Sequence, residues 1–140
     1  MATVPGATFD GVFWGGNSVN QVSIYRVVVA CVAELFGTLV LIWTVIAISE
    51  SNKNSSYRYW GPVMIGFAVL AIGNSLGGPS GFAINPARDL APRILGGMLG
   101  TQGLFDGYYW FVAPVLIPLM AGPLGVVLYD KIISLKNSDT

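Results

Sequence analysis

The chain has 140 residues, 54% of them hydrophobic and 10% charged, and its 7 Lys and Arg balance its 7 Asp and Glu. Without a basic excess nothing points to a nucleic-acid partner, and the mean hydropathy of +0.66 belongs to a membrane protein. The single cysteine, Cys31, lies inside an apolar run, can make no disulfide within the chain, and reads as a small buried hydrophobe.

Residues 1–21 are polar and glycine-rich, lack helical or strand periodicity, and read as a connector. They show no basic stretch followed by an apolar one, so no cleaved signal peptide is expected. From 22 to 48 the chain is apolar apart from Ser23, Arg26, Glu34 and two Thr. At 1.5 Å per residue this first expected transmembrane helix is long enough to cross about 30 Å of hydrocarbon. A charged acid inside it costs about 2.5–3.5 kcal/mol, so Glu34 should have a polar partner; the alternative is a neutral or hydrated carboxyl.

Residues 49–60 form a polar loop that ends in the aromatic group Tyr57, Tyr59 and Trp60. Lys53 and Arg58 lie here, and Lys131 and Lys136 follow the last apolar run. By the positive-inside rule both regions are expected on the cytoplasmic side, with the N-terminal connector outside. Asn54-Ser55-Ser56 spells a glycosylation sequon, but a cytoplasmic loop does not meet the transferase.

A second, short span is expected over 61–77, where Gly66, Ala68, Ala71, Gly73 and Gly77 let neighbouring helices approach closely. Gly73-Asn74-Ser75-Leu76-Gly77 within it spells the nucleophile elbow of hydrolases. The chain has no His to act as base and the pattern sits in a membrane helix, so no catalytic residue is assigned and no enzyme is expected.

Gly78-Pro79-Ser80-Gly81 then interrupts any helix, and Asn85 followed by Pro86 marks a new helix start. This expected half-helix covers 85–97, with Asp89 and Arg93 at i, i+4 in the favourable acid-then-base order. A half-helix that begins within a membrane exposes its positive end and an Asn amide, an arrangement suited to uncharged polar solutes. Gly96, Gly97, Gly100, Gly103 and Gly107 read as a flexible loop, and Tyr108-Tyr109-Trp110 as an interfacial belt. The third span is expected over 109–129, its Pro114, Pro118 and Pro123 tolerated because neighbouring helices can satisfy freed carbonyls. Residues 132–140 read as a cytoplasmic tail.

Asn85-Pro86-Ala87-Arg88-Asp89, preceded by Gly81-Phe82 and flanked by three apolar segments, resembles the second Asn-Pro-Ala signature of the aquaporin family. Asp89 after the Arg is similar to the aquaglyceroporin, or glycerol facilitator, branch. Pro114-x-x-x-Pro118 resembles the start of that branch's sixth helix, where Pro and a non-aromatic residue replace an aromatic pair; Pro114-Val115 or Pro118-Leu119 fits that position. The resemblance covers nearly the whole chain but only the second half of the family's chain, and no first Asn-Pro-Ala is present.

What the resemblance implies is an all-α membrane protein forming one inverted repeat of the aquaporin fold, three transmembrane helices plus one membrane half-helix. The connector 1–21 would be the end of the extracellular loop joining the halves, and 22–131 the C-terminal half of a multi-pass channel domain. The implied function is a passive channel for glycerol, urea and other small neutral solutes plus water. No cofactor or metal is implied, and the implied partners are the lipid bilayer, the missing N-terminal half and the other full-length chains of a homotetramer, with the plasma membrane as the expected site.

The family's residue roles carry over position by position. Asn85 and Arg88 donate to the solute, Phe82 gives the constriction an apolar wall, and the carbonyls of Gly81, Phe82, Ala83 and Ile84 form a ladder of acceptors. Gly73 falls where water-selective relatives carry His and is expected to leave space for a wider solute. Pro86, Ala87 and Asp89 support the loop, and Glu34 matches a glutamate of the family's fourth helix that accepts its N–H groups. Two other readings remain: a water-selective aquaporin, disfavoured by Asp89, Gly73 and the lack of His, and a non-conducting truncated membrane subunit.

Overall fold

Long apolar runs become the long helices of this chain, and the Gly-Gly-Pro-Ser-Gly stretch at 77–81 separates the second helix from the third. The computed structural model describes residues 24–51 and 59–138, and contains only helices, turns and bends among them. Helix α1 (Ile24–Ser51) is 28 residues long, about 42 Å at 1.5 Å per residue. It runs on past the expected end at residue 48 because Ser49, Glu50 and Ser51 include no helix breaker. Helix α2 (Gly61–Leu76) has Pro62 in its first turn, where the missing N–H has no intrahelical role, and spans about 24 Å. Helix α3 (Pro86–Met98) is the half-helix.

The last rod begins as α4 (Tyr109–Phe111), widens into a π-helical stretch (Val112–Leu116) and continues as α5 (Ile117–Ser138). Pro114 and Pro118 lie four residues apart and each lacks an N–H. Between them the Ile117 N–H reaches Val112 O, five residues back, which is the π pattern. The rod continues past Tyr129 to Ser138, so most of the segment expected as a tail is helical.

Gly96 and Gly97 belong to α3 and not to a loop. The helix ends in a Schellman motif: Thr101 N–H donates to Gly96 O at 2.9 Å and Gly100 N–H to Gly97 O at 3.1 Å. Gly100 takes φ +87° there, a left-handed cap that a side chain would strain.

Helix α1 packs against both α2 and α5. Its first turns meet the start of the last rod, where Val27, Ala30, Tyr109 and Ala113 form a buried cluster. Its far half meets the far half of α5. Trp43 Nε1 donates to Gly125 O at 2.9 Å, and Tyr129 OH donates to Glu50 Oε2 at 3.0 Å. A Cβ at Gly125 would lie 3.3 Å from Leu39 and Ile42 side chains, so glycine sets how closely the two helices approach. These contacts make α1 and the last rod parallel, with both C-terminal ends on one side.

Two helical segments, Ile24–Ser51 and Tyr109–Ile132, are long and apolar enough to cross a membrane, and α2 is a shorter third. Val28, Val32, Phe36 and Val40 form an exposed stripe along α1, and Val63, Met64, Phe67 and Leu70 are exposed on α2. Such apolar stripes suit a hydrocarbon surround or another protein face, and not water.

Candidate functional site

The site grows out of the break between α2 and α3. Gly81 N–H closes a turn on Gly77 O at 2.8 Å, after which the backbone takes an unusual path. Phe82 has φ +64° and Ile84 φ +42°, left-handed values at two side-chain-bearing residues. Each such residue costs on the order of 1–3 kcal/mol and persists only where its surroundings hold it.

Glu34 of α1 does so from one side. Its Oε1 accepts the Ala83 N–H at 2.8 Å and its Oε2 the Ile84 N–H at 2.6 Å, with the side chain 1% exposed. Hydrogen bonds to a charged acceptor contribute about 1.5–3 kcal/mol each, the same size as the strain they offset. Both carboxylate oxygens therefore have polar partners inside an apolar helix.

The opposite side is held by a residue read from sequence as part of an interfacial belt. Tyr109 is 3% exposed while its neighbour Tyr108 is 52% exposed, so the three aromatics do not form one belt. A tyrosine can be buried when its hydroxyl finds a partner, and Tyr109 OH donates to Ser80 O at 2.6 Å. Ser80 Oγ in turn accepts the Phe82 N–H at 3.2 Å.

Asn85 has extended geometry at φ −150°, and its Oδ1 accepts the Ala87 N–H at 3.0 Å and the Arg88 N–H at 3.5 Å. With the oxygen engaged, the exposed amide presents its NH2 as donor at the positive end of α3. Pro86 occupies the first helical position. Arg88 is exposed on the first turn, its guanidinium carbon 5.6 Å from the centre of the Phe82 ring, within cation–π range.

The Phe82 ring also lies on Gly73. A Cβ at Gly73 would stand 3.0 Å from Phe82 Cζ and 3.1 Å from Cε1. The space expected at Gly73 is thus taken by the aromatic ring, which packs on the bare backbone of α2. Ile84 similarly packs over Gly37 of α1, where a Cβ would stand 3.0 Å from Ile84 Cγ2. Ala83 is buried and Gly81 exposed, and among the described residues no hydrogen bond reaches the carbonyl oxygens of residues 81–84.

Asp89 and Arg93 are both buried, and Arg93 Nε and Nη2 each lie 2.9 Å from Asp89 Oδ2. Arg93 Nη1 donates to Leu104 O, so the pair also fastens α3 to the turn that follows it. Their spacing signalled the pair but not this reach. Ser80 and Tyr109 gave no signal of their own, because their link crosses 29 positions of sequence.

Site residues from four stretches of chain thus converge: Glu34 from α1, Gly73 from α2, residues 80–88 from the break and α3, and Tyr109 from the start of the last rod. The surface offers N–H donors beside a positive helix end, an apolar ring and a run of carbonyls. Such a surface favours neutral, hydrogen-bonding molecules with one apolar side and disfavours cations. Among the described residues no group of His, Cys, Asp and Glu is arranged to hold a metal ion.

Residues 3–129 match the family described as Major intrinsic protein. The chain belongs to that family. As a major intrinsic protein it is an all-α integral membrane protein. It is 39% identical over 101 residues to glycerol uptake facilitator protein 3 of Lactiplantibacillus plantarum, covering 71% of this chain and 40% of the relative. A probable glycerol uptake facilitator protein of Thermotoga maritima is 40% identical over 100 residues, covering 69% and 41%. Aquaglyceroporin-3 of Trypanosoma brucei brucei is 39% identical over 97 residues, covering 69% and 32%. The chain therefore spans about two-fifths or less of the length of these curated relatives. No solved structure matches it.

Proposed function

We propose that this chain forms the second half of a passive membrane channel for glycerol, urea and other small neutral solutes together with water. The observation that carries the reading is the Asn85 amide, its oxygen held by Ala87 and Arg88 and its NH2 left to donate at the start of a helix whose first turn carries Arg88 against Phe82. A polyol has hydroxyls to accept from Asn85 and Arg88 and a carbon face to lie on Phe82. The names of the similar glycerol uptake facilitators favour the same solute class.

One such half supplies one wall of a passage, so the reading includes a preceding half with its own half-helix. Full-length chains of this design assemble as a homotetramer in the plasma membrane, with residues 49–60 and 131–140 on the cytoplasmic side and 1–21 outside. The common side of the C-terminal ends of α1 and α5, joined by Tyr129 and Glu50, supports this arrangement. Stopped-flow swelling of liposomes in glycerol and in an impermeant sugar tests the function, with the full-length protein as sample. Glycerol flux well above that of empty liposomes is the expected result. Water flux without glycerol flux would make it a water-selective channel, and neither flux would make it a non-conducting subunit.

A further inference from the structure

We infer that Tyr109 is a positioning residue for the solute filter, tethering through its hydroxyl the backbone that carries Phe82. The inference rests on the proposed channel function and deepens it. Its starting point is the hydrogen-bonded path from Tyr109 OH to Ser80 O at 2.6 Å, and from the Phe82 N–H back to Ser80 Oγ at 3.2 Å. Ser80 is 1% exposed, its bond from Tyr109 is buried and its bond from the Phe82 N–H is partly buried, so both bear on a residue held inside the protein.

Phe82 needs such a tether. Glu34 engages the N–H groups of Ala83 and Ile84, which follow Phe82, and leaves the approach to Phe82 to other contacts. At φ +64° Phe82 is in a conformation that relaxes when one end of its segment is released. With Ser80 fixed by Tyr109 and Ala83 fixed by Glu34, the residue between them is held at both ends. Its ring is thereby kept on Gly73 and beside Arg88.

Tyr109 is itself anchored. Its ring packs with Val27 and Ala30 of α1 and with Ala113 of the π-helical stretch. The π turn begins directly after α4, so the irregular backbone set up by Pro114 and Pro118 adjoins the residue that holds the loop. The last rod thus acts on the filter without contributing a group that touches the solute.

Releasing the loop has a definite sign. A displaced Phe82 loses its fit to the carbon face of a polyol, whereas water needs no such fit and enters more freely. Tyr109→Phe keeps the ring and its packing and removes only the hydroxyl, and Tyr108→Phe removes a neighbouring exposed hydroxyl as a control.

The experiment uses the full-length protein carrying this chain and reads two quantities. Amide hydrogen exchange is followed across residues 80–84, and glycerol and water permeability are measured by stopped-flow swelling. Tyr109→Phe is expected to speed exchange in 80–84 selectively and to lower the glycerol-to-water ratio about fivefold, the factor that one hydrogen bond of ordinary strength is worth. Tyr108→Phe is expected to change neither. Unchanged exchange overturns the inference, as does exchange that rises equally throughout the protein or rises with the ratio unaltered. If the unsubstituted protein passes no glycerol, the proposed function falls, and exchange alone then decides whether Tyr109 tethers the loop.

Discussion

The ring of Phe82 rests on the bare backbone of Gly73, 3.0 Å from the point where a Cβ would stand. Gly73→Ala therefore forces the ring or the helix to move, at a cost of about 1–3 kcal/mol by analogy with other overpacked sites. Thermal unfolding in detergent should show this loss, and Phe82→Leu in the same chain should recover part of it. Equal losses from Gly73→Ala with and without the Phe82 substitution would mean that the contact has no energetic weight. In the proposed channel, Gly73→His should push the Phe82 ring out of place, and stopped-flow swelling should then show glycerol flux reduced far more than water flux.

Glu34→Gln keeps one acceptor oxygen but turns an NH2 toward the second loop N–H. One of the two bonds, from Ala83 or Ile84, is lost and the left-handed residues lose part of their support. Stability should fall by about 2 kcal/mol or more, the loss of a bond to a charged acceptor plus an unsatisfied N–H. The midpoint of thermal unfolding checks it, and an unshifted midpoint would contradict the role of the carboxylate.

The buried Asp89–Arg93 pair makes a different prediction. Arg93→Met removes the buried cation that pairs with the Asp89 carboxylate and releases Leu104 O, so the single change should cost about 3–5 kcal/mol. Asp89→Asn together with Arg93→Met removes both charges of the pair and should cost less than the two single changes added together. A double-mutant cycle on unfolding free energies reads this directly, and strict additivity would rule out the coupling.

Topology can be read by labelling single cysteines in a chain whose Cys31 is replaced by Ser. Cysteines at Ser51 and Lys131 should react from the same side of the membrane, and one at Gln102 from the other. Ser51 and Lys131 labelling from opposite sides would contradict the parallel packing of α1 and α5.

Much of the architecture is legible in local sequence. Asn85 followed by Pro86 marks the start of α3 because a cap and a helix-compatible φ are properties of adjacent residues. The Asp89–Arg93 pair is legible for the same reason, since four positions on a helix are neighbours in space. Tyr109 is different: Tyr108-Tyr109-Trp110 looks uniform, and only tertiary packing decides which ring is buried. The Phe82–Gly73 contact is likewise hidden, because a missing side chain reads equally as open space or as a seat for another residue. The glycines at 96 and 97 suggested a loop by composition, while the Schellman closure that ends α3 begins only at Leu99 and Gly100.

Every tether described for the left-handed loop comes from this chain: Glu34 ahead of it, Ser80 within it and Tyr109 behind it. The direction in which its carbonyls point is consequently set without help from whatever surface lies opposite. Substitutions in that opposing surface can alter how wide a passage is while its hydrogen-bonding chemistry stays the same. Bore and chemistry are then separable traits, open to independent variation between one relative and the next.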